Sequence, residues 1–300
     1  RERAPREAPH FSERAAARAN ARGRVRTTLD LSSQKAAEEL IRRRIGALRA
    51  LGISNAAVVA IELGNEGERK LIASVGSAGF DETYFSGQVD GTVSRRSPGS
   101  TLKPFLYALA FDEGRIIPES YLLDIPTDFS GYVAENYDEH YRGQVTARDA
   151  LIQSLNASTV RLLAQMKLGR FLDLLTRGGL STLDRPAGSY GLPLVLGAGE
   201  VTLTDLTNLY ATLALGGEHR PLHWLESGTE SGDGNGRHEG EKTRRLLSPE
   251  AAALTAEILS DVRRPDLPES WNLAQGVPAV AWKTGTSYGH RDAWALGFSG

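Results

Sequence analysis

The chain has 300 residues, 40% of them hydrophobic, and its 35 Lys and Arg against 37 Asp and Glu leave a formal net charge of -2. That length supports one substantial core, and the balanced charge gives none of the basic footprint expected of a nucleic-acid binder, so nucleic acid is excluded as a partner. The absence of cysteine excludes disulfides, thiolate catalysis and cysteine metal sites, and no apolar run reaches the ~18 residues needed to span a bilayer.

Residues 1 to about 26 are rich in Arg and Ala, carry Pro5 and Pro9, and lack a sustained apolar stripe. They read as a linker or as the tail of an upstream domain, with a charged helix packed on the main body as the alternative. From Gln34 to Leu51, Ala37, Leu40, Ile41, Ile45 and Leu48 recur at helical spacing and predict an amphipathic helix ending at Gly52. Ala56 to Ile61 and Lys70 to Val75 read as strands turned by Gly64-Asn-Glu-Gly67. The middle is helical: Leu102 to Phe111, Ala147 to Met166 with Thr146 and Asp149 placed to cap its first turn, and Thr204 to Leu215. Residues 227 to 243 are polar and glycine-rich and read as a mobile surface loop. A helix over Pro249 to Val262 precedes a strand over Ala279 to Thr286, a turn at Tyr288 to Arg291 and a last strand from Asp292. Strands at both ends with helices between predict an α+β fold, one antiparallel sheet flanked by helices. The chain begins at Arg1 without methionine and stops inside that last strand, so it reads as a piece of a longer protein, incomplete at its C-terminus.

The chemistry is carried by three short segments. Ser100 and Lys103, in Ser97-Pro-Gly-Ser-Thr-Leu-Lys103, lie one helical turn apart just after a Pro-Gly break, which places both on one face. A serine hydroxyl needs a neighbouring base to become a nucleophile, and a desolvated lysine can serve. Alone, such a pair is a weak signal and reads more readily as a capped surface helix. Ser154-Leu-Asn156 and Lys283-Thr-Gly-Thr286 follow, the first by a helix and the second on an apolar strand where Gly285 would let a substrate backbone lie flat.

The order Ser-x-x-Lys, Ser-x-Asn, Lys-Thr-Gly resembles that of the penicillin-recognising serine enzymes. With Thr27-Thr-Leu-Asp30, Gly197-Ala-Gly-Glu-Val-Thr-Leu203 and Lys283 through Trp294, the resemblance covers nearly the whole chain from Thr27. It is to the transpeptidase domain of class A penicillin-binding proteins, of the 1C type. What the resemblance implies is a β-lactamase/transpeptidase-like fold with an all-helical subregion carrying the nucleophile, and a D,D-transpeptidase that cross-links peptidoglycan stem peptides and is acylated by β-lactams. It implies Ser100 as the acylated nucleophile, Lys103 as its proton acceptor, and Ser154 and Asn156 as proton relay and substrate-amide holder. Lys283, Thr284 and Thr286 would bind the donor's terminal carboxylate, with the N–H groups of Ser100 and Thr286 as oxyanion hole. Leu155 stands where the lactamase pattern has Asp, which tilts against a lactamase. The domain expected is residues 27–300, behind a junction with a glycosyltransferase domain in a bifunctional synthase. The membrane tether would lie in the missing N-terminal part, on the extracytoplasmic, periplasmic side, with cell-wall synthesis proteins as further partners.

A D,D-carboxypeptidase or β-lactamase, with water as acceptor, and a non-catalytic β-lactam sensor remain open beside this reading. No metal or other cofactor is implied. The six histidines lack metal-ligand spacing and read as solvated, Trp271, Trp282 and Trp294 read as sheet-face packing, and Tyr137 and Tyr141 as surface packing rather than cleft lining.

Overall fold

The computed structural model describes residues 7–18, 25–225, 243–263 and 278–299. The glycine-rich stretch, apart from Thr243, and Trp271 lie outside the described residues. The chain divides into two compact units, residues 1–95, 202–208 and 220–243, and residues 96–201, 209–219 and 244–300.

In the first unit, helices α1 (Pro9–Arg18) and α2 (Leu31–Ala50) pack on a hairpin of β1 (Val58–Leu63) and β2 (Arg69–Val75). Asp30 caps α2 by accepting from the Ser33 N–H at 2.8 Å, so the helix begins a turn earlier than its apolar stripe suggested. Ala37, Ile41 and Ile45, spaced four apart, bury against Ala73 and Val75. Helix α1 buries Phe11 and Ala15 with Leu71, and its Arg14 bonds Asp90, Thr92 and Ser74. Part of the Arg- and Ala-rich start is therefore a packed helix, the alternative weighed for it.

In the second unit a short 3-10 turn, Gly99–Leu102, runs into α3 (Lys103–Asp112). Every residue of α3 from Lys103 to Phe111 is buried, as befits a helix that is apolar nearly all round and sits inside the core. The strands β3 (Tyr121–Asp124) and β4 (Gly143–Thr146) pair antiparallel, followed by α4 (Ala147–Ile152), α5 (Asn156–Gln165), α6 (Leu168–Arg177) and α7 (Ala187–Tyr190). Helix α8 (Leu203–Ala214) divides its residues between the two units. The two-residue strands β5 (Glu218–His219) and β6 (Arg244–Arg245) pair, α9 (Pro249–Ser260) packs on α3, and β7 (Ala281–Thr286) pairs with β8 (Ala293–Phe298).

The α+β class stands, while several details differ from expectation. The strands form four two-stranded antiparallel ladders: each described strand pairs with its neighbour in sequence, so the one sheet expected from both chain ends is not made by direct pairing among the described residues. The single helix expected over 147–166 is two. Thr146 caps α4 as predicted, accepting from the Asp149 N–H at 3.0 Å, but Ser154 takes a left-handed φ of 57° and ends the helical run before α5. Two histidines are buried rather than solvated: His10 stacks edge-on against Phe80, and His219 shares a 3.2 Å hydrogen bond with Thr212. No helix among the described residues is long and apolar enough to cross a membrane.

Candidate active site

The Ser100 turn is shaped by what precedes it. Gly99 has a φ of +54°, and a Cβ there would lie 2.5 Å from the Thr286 carbonyl oxygen, so only glycine satisfies both the backbone angle and the close approach. Thr101 folds back to bond Pro98 O through its N–H at 3.3 Å and its hydroxyl at 2.9 Å. The turn is pinned by side chains distant in sequence. Ser97 donates to Gly197 O at 2.7 Å, Trp294 Nε1 donates to Ser97 O at 2.8 Å, and the Tyr210 hydroxyl donates to Thr101 O at 2.7 Å. Trp294 thus anchors the turn as well as packing on its ladder. Ser100 is half-buried at the head of this short helix, where backbone N–H groups have no intrahelical acceptors.

Lys103 is fully buried, and its Nζ donates to Ser154 O at 2.6 Å, Asn156 Oδ1 at 2.6 Å and Leu155 O at 3.0 Å, with Ser154 Oγ at 3.5 Å. Three acceptors match the three donors of an ammonium. Burial first, then the neighbouring Lys283, pull the other way and hold the Lys103 pKa well below its ordinary value, against a smaller opposing effect of Asp124. Among the described residues no hydrogen bond reaches the Ser100 hydroxyl, so the Ser100–Lys103 pair expected from spacing shares a helix head while the lysine's donors go to the second motif.

The third motif enters from β7. Lys283 is buried and donates to Ser154 Oγ at 2.8 Å and Thr284 O at 2.9 Å; burial lowers its pKa to about 8. The Ser154 hydroxyl therefore faces both lysines. Strand alternation leaves Thr284 and Thr286 exposed on one side while Lys283 and Gly285 turn inward. A Cβ on Gly285 would lie 2.4 Å from Pro98 O and 2.7 Å from Thr101 Cγ2. Glycine is required there by the chain's own strand-to-turn contact, a reason apart from any substrate.

All eight motif residues fall in one unit, and Lys103, Ser154, Asn156 and Lys283 share a continuous hydrogen-bond network. Asn156 is engaged at both ends, Oδ1 by Lys103 and Nδ2 donating to Glu135 O at 2.7 Å. Sequence reasoning missed the support behind it. Buried Asn136 accepts from the Asn156 N–H at 2.7 Å and donates to buried Asp124 at 2.8 Å. An aspartate closing the apolar run Leu122-Leu123-Asp124 was the available signal. Tyr137 is exposed and meets His290 edge-on at 5.7 Å. Among the described residues no group of three His, Cys, Asp or Glu could hold a metal.

A family model described as the penicillin binding protein transpeptidase domain matches residues 59–293. Penicillin-binding protein 1C of Escherichia coli (strain K12) is 33% identical over 98% of this chain and 36% of its own length. Penicillin-binding protein 1A of Neisseria cinerea is 30% identical over 68% of this chain and 26% of its own. The chain thus spans roughly a third, or less, of the curated relatives it matches. The structure of the PonA1 protein from Mycobacterium tuberculosis in complex with penicillin V superposes with a TM-score of 0.74 over 97% of this chain and 81% of that one. At 20% identity, that likeness establishes the fold.

Proposed function

The chain belongs to the penicillin-binding protein transpeptidase family, and from that premise we propose that it is a serine D,D-transpeptidase acting on the D-Ala-D-Ala end of peptidoglycan stem peptides. The observation that carries this reading is the convergence of two buried lysines, Lys103 and Lys283, on the Ser154 hydroxyl at the head of the Ser100 helix. Two ammonium groups held together out of water repel, so one of them is readily neutral and available as a base.

In this reading Ser100 Oγ gives its proton to the Lys103 amine and attacks the penultimate D-Ala carbonyl carbon. The negative charge that develops on the carbonyl oxygen is met by the N–H groups of Ser100 and Thr286, donors of a kind typically worth ~2.7–4 kcal/mol each. The C–N bond breaks, and the departing D-Ala amine takes a proton passed from Lys103 or Lys283 through Ser154. An amine of a neighbouring stem then attacks the ester, loses a proton along the same relay, and frees Ser100. Protonated Lys283 with the exposed hydroxyls of Thr284 and Thr286 receives the donor's terminal carboxylate, and the remaining N–H of the Asn156 amide holds the substrate amide. A β-lactam carbonyl enters the same sequence and stops at the ester. In the longer protein, residues 1–26 are the junction after a glycosyltransferase domain, with α1 packed on the hairpin that follows, 27–300 are the transpeptidase domain, and the site faces the extracytoplasmic side of the inner membrane.

The test is product analysis by mass spectrometry after incubation with a D-Ala-D-Ala pentapeptide and a D-amino acid as acceptor. Amide exchange is expected. Hydrolysis alone would select the carboxypeptidase or lactamase reading, and a stable adduct with penicillin but no peptide turnover would select the sensor.

A further inference from the structure

Helix α5 begins at Asn156 behind Leu155, whose side chain makes no capping hydrogen bond. The first N–H groups of a helix lack intrahelical acceptors, and here they are satisfied from elsewhere in the chain. Asn136 Oδ1 accepts from the N–H of Asn156 at 2.7 Å and of Ala157 at 3.3 Å, and Asp124 Oδ1 accepts from the N–H of Ser158 at 3.2 Å. The two capping side chains are joined, since Asn136 Nδ2 donates to Asp124 Oδ2 at 2.8 Å while donating to His140 O at 2.8 Å. Asp124 Oδ2 also accepts from the Arg142 N–H at 2.8 Å. Asp124 is wholly buried and Asn136 nearly so. The hydrogen bonds of this buried carboxylate come from backbone and amide donors, with the Arg142 guanidinium acting on it through its charge, and its place at a helix N-terminus is electrostatically favourable.

We propose that Asp124 and Asn136 are positioning residues for the acyl-transfer reaction: together they cap α5 in place of Leu155, fix the Asn156 amide against Lys103, and place a carboxylate in the same buried region as the two lysines. The inference rests on the acyl-transfer reading above and adds to it two residues outside all three motifs. Its two halves are separable. The charge of Asp124 favours the protonated form of Lys103, against burial and Lys283, whereas the neutral Asn136 acts by geometry. The other groups around Lys103 are Ser154 and Asn156 from the turn before α5 and Lys283 from β7. On its own helix, the Tyr107 hydroxyl bonds Thr159 at 3.2 Å, and burial raises its pKa above its ordinary value, so it stays neutral through the working range.

The experiment is the rate of acylation by a fluorescent penicillin as a function of pH, for the whole chain and three variants, each with a thermal melt to confirm folding. Asp124→Asn removes the charge, so neutral Lys103 appears at lower pH and the rising limb should move down. Asn136→Asp keeps the acceptor for α5 but sets a second carboxyl against Asp124, 2.8 Å from the present amide nitrogen, where the two share one proton, so the limb should stay where it is in the unaltered chain. Asn136→Ala leaves the charge but frees the start of α5, and should lower the plateau rate at least ~10-fold with the limb unmoved. A purely structural role would lower stability without moving the limb of Asp124→Asn. If Asp124→Asn does not fold, a wild-type plateau in folded Asn136→Ala still overturns the proposal. Failure of the unaltered chain to label would refute the acyl-transfer reading itself, and this inference with it.

Discussion

Replacing Gly285 by alanine probes the contact that holds the Lys-Thr-Gly strand against the Ser100 turn. The added Cβ would stand 2.4 Å from Pro98 O, 2.7 Å from Thr101 Cγ2 and 3.0 Å from Thr101 N. An ordinary carbon–oxygen approach is about 3.3–3.6 Å, so strand and turn must separate by roughly 1 Å. Two of the three opposing atoms are backbone and cannot rotate away. Overpacking of this kind costs about 1–3 kcal/mol, and for a domain of this size each kcal/mol lowers Tm by roughly 2–4 °C. The functional loss should exceed the stability loss, because the separation falls between the Ser100 and Thr286 N–H groups, and a displacement near 1 Å costs on the order of 100-fold in rate. Stopped-flow acylation with a chromogenic β-lactam, beside a thermal melt, reads both. Gly99→Ala should act in the same direction, its Cβ meeting Thr286 O at 2.5 Å from a φ of +54°. Gly188→Ala, with nothing within 4 Å, is the control and should change neither. A Gly285→Ala protein with the melting point and acylation rate of the unaltered chain would refute the reasoning.

Lys103→Ala should lose acylation by several orders of magnitude and also melt lower, because Ser154 O, Leu155 O and Asn156 Oδ1 lose their shared donor in a buried space, where each unpaired group costs ~1–3 kcal/mol; a full melting point would show that water replaces the ammonium. Ser154→Ala removes the hydroxyl that faces both lysines and should slow acylation on the order of 100-fold, read by penicillin labelling over time, with an unchanged rate excluding the relay. Lys283 has a folded pKa of about 8 against an ordinary 10.5, so between those values the unfolded chain binds more protons and stability should rise with pH. Lys283→Met should diminish that rise in denaturant midpoints while leaving the share due to Lys103, and an identical pH slope would contradict the assignment. The penicillin adduct should persist for minutes or longer, because Glu200 is exposed and Glu218 is paired with Arg245 at 3.6 Å, which leaves neither to hold a water over the ester; loss within seconds, followed by intact-protein mass spectrometry, would favour a lactamase.

What was legible in the sequence was local. The stripe of Ala37, Ile41 and Ile45 and the Thr146 cap each depend on residues within a turn or two, and the motif order placed Lys103, Ser154, Asn156 and Lys283 together before any geometry was known. What was not legible depends on contacts between distant residues. The Ser154 break falls at a non-glycine residue in a left-handed conformation, which propensity does not announce. The cap that restarts the helix comes from Asn136 and Asp124, 20 and 34 residues away. The contact that demands glycine at 285 lies with Pro98 and Thr101, far off in the chain, where a single-residue rule does not reach. His10 and His219 looked solvated because burial is a property of the packed unit, not of spacing.

The central claim is that Ser100 is the residue acylated, and peptide mapping of the penicillin adduct by mass spectrometry tests it most directly. The expected result is a single adduct on the peptide containing Ser100, absent from Ser100→Ala. An adduct on any other residue, or undiminished labelling of the Ser100→Ala protein, would contradict the account.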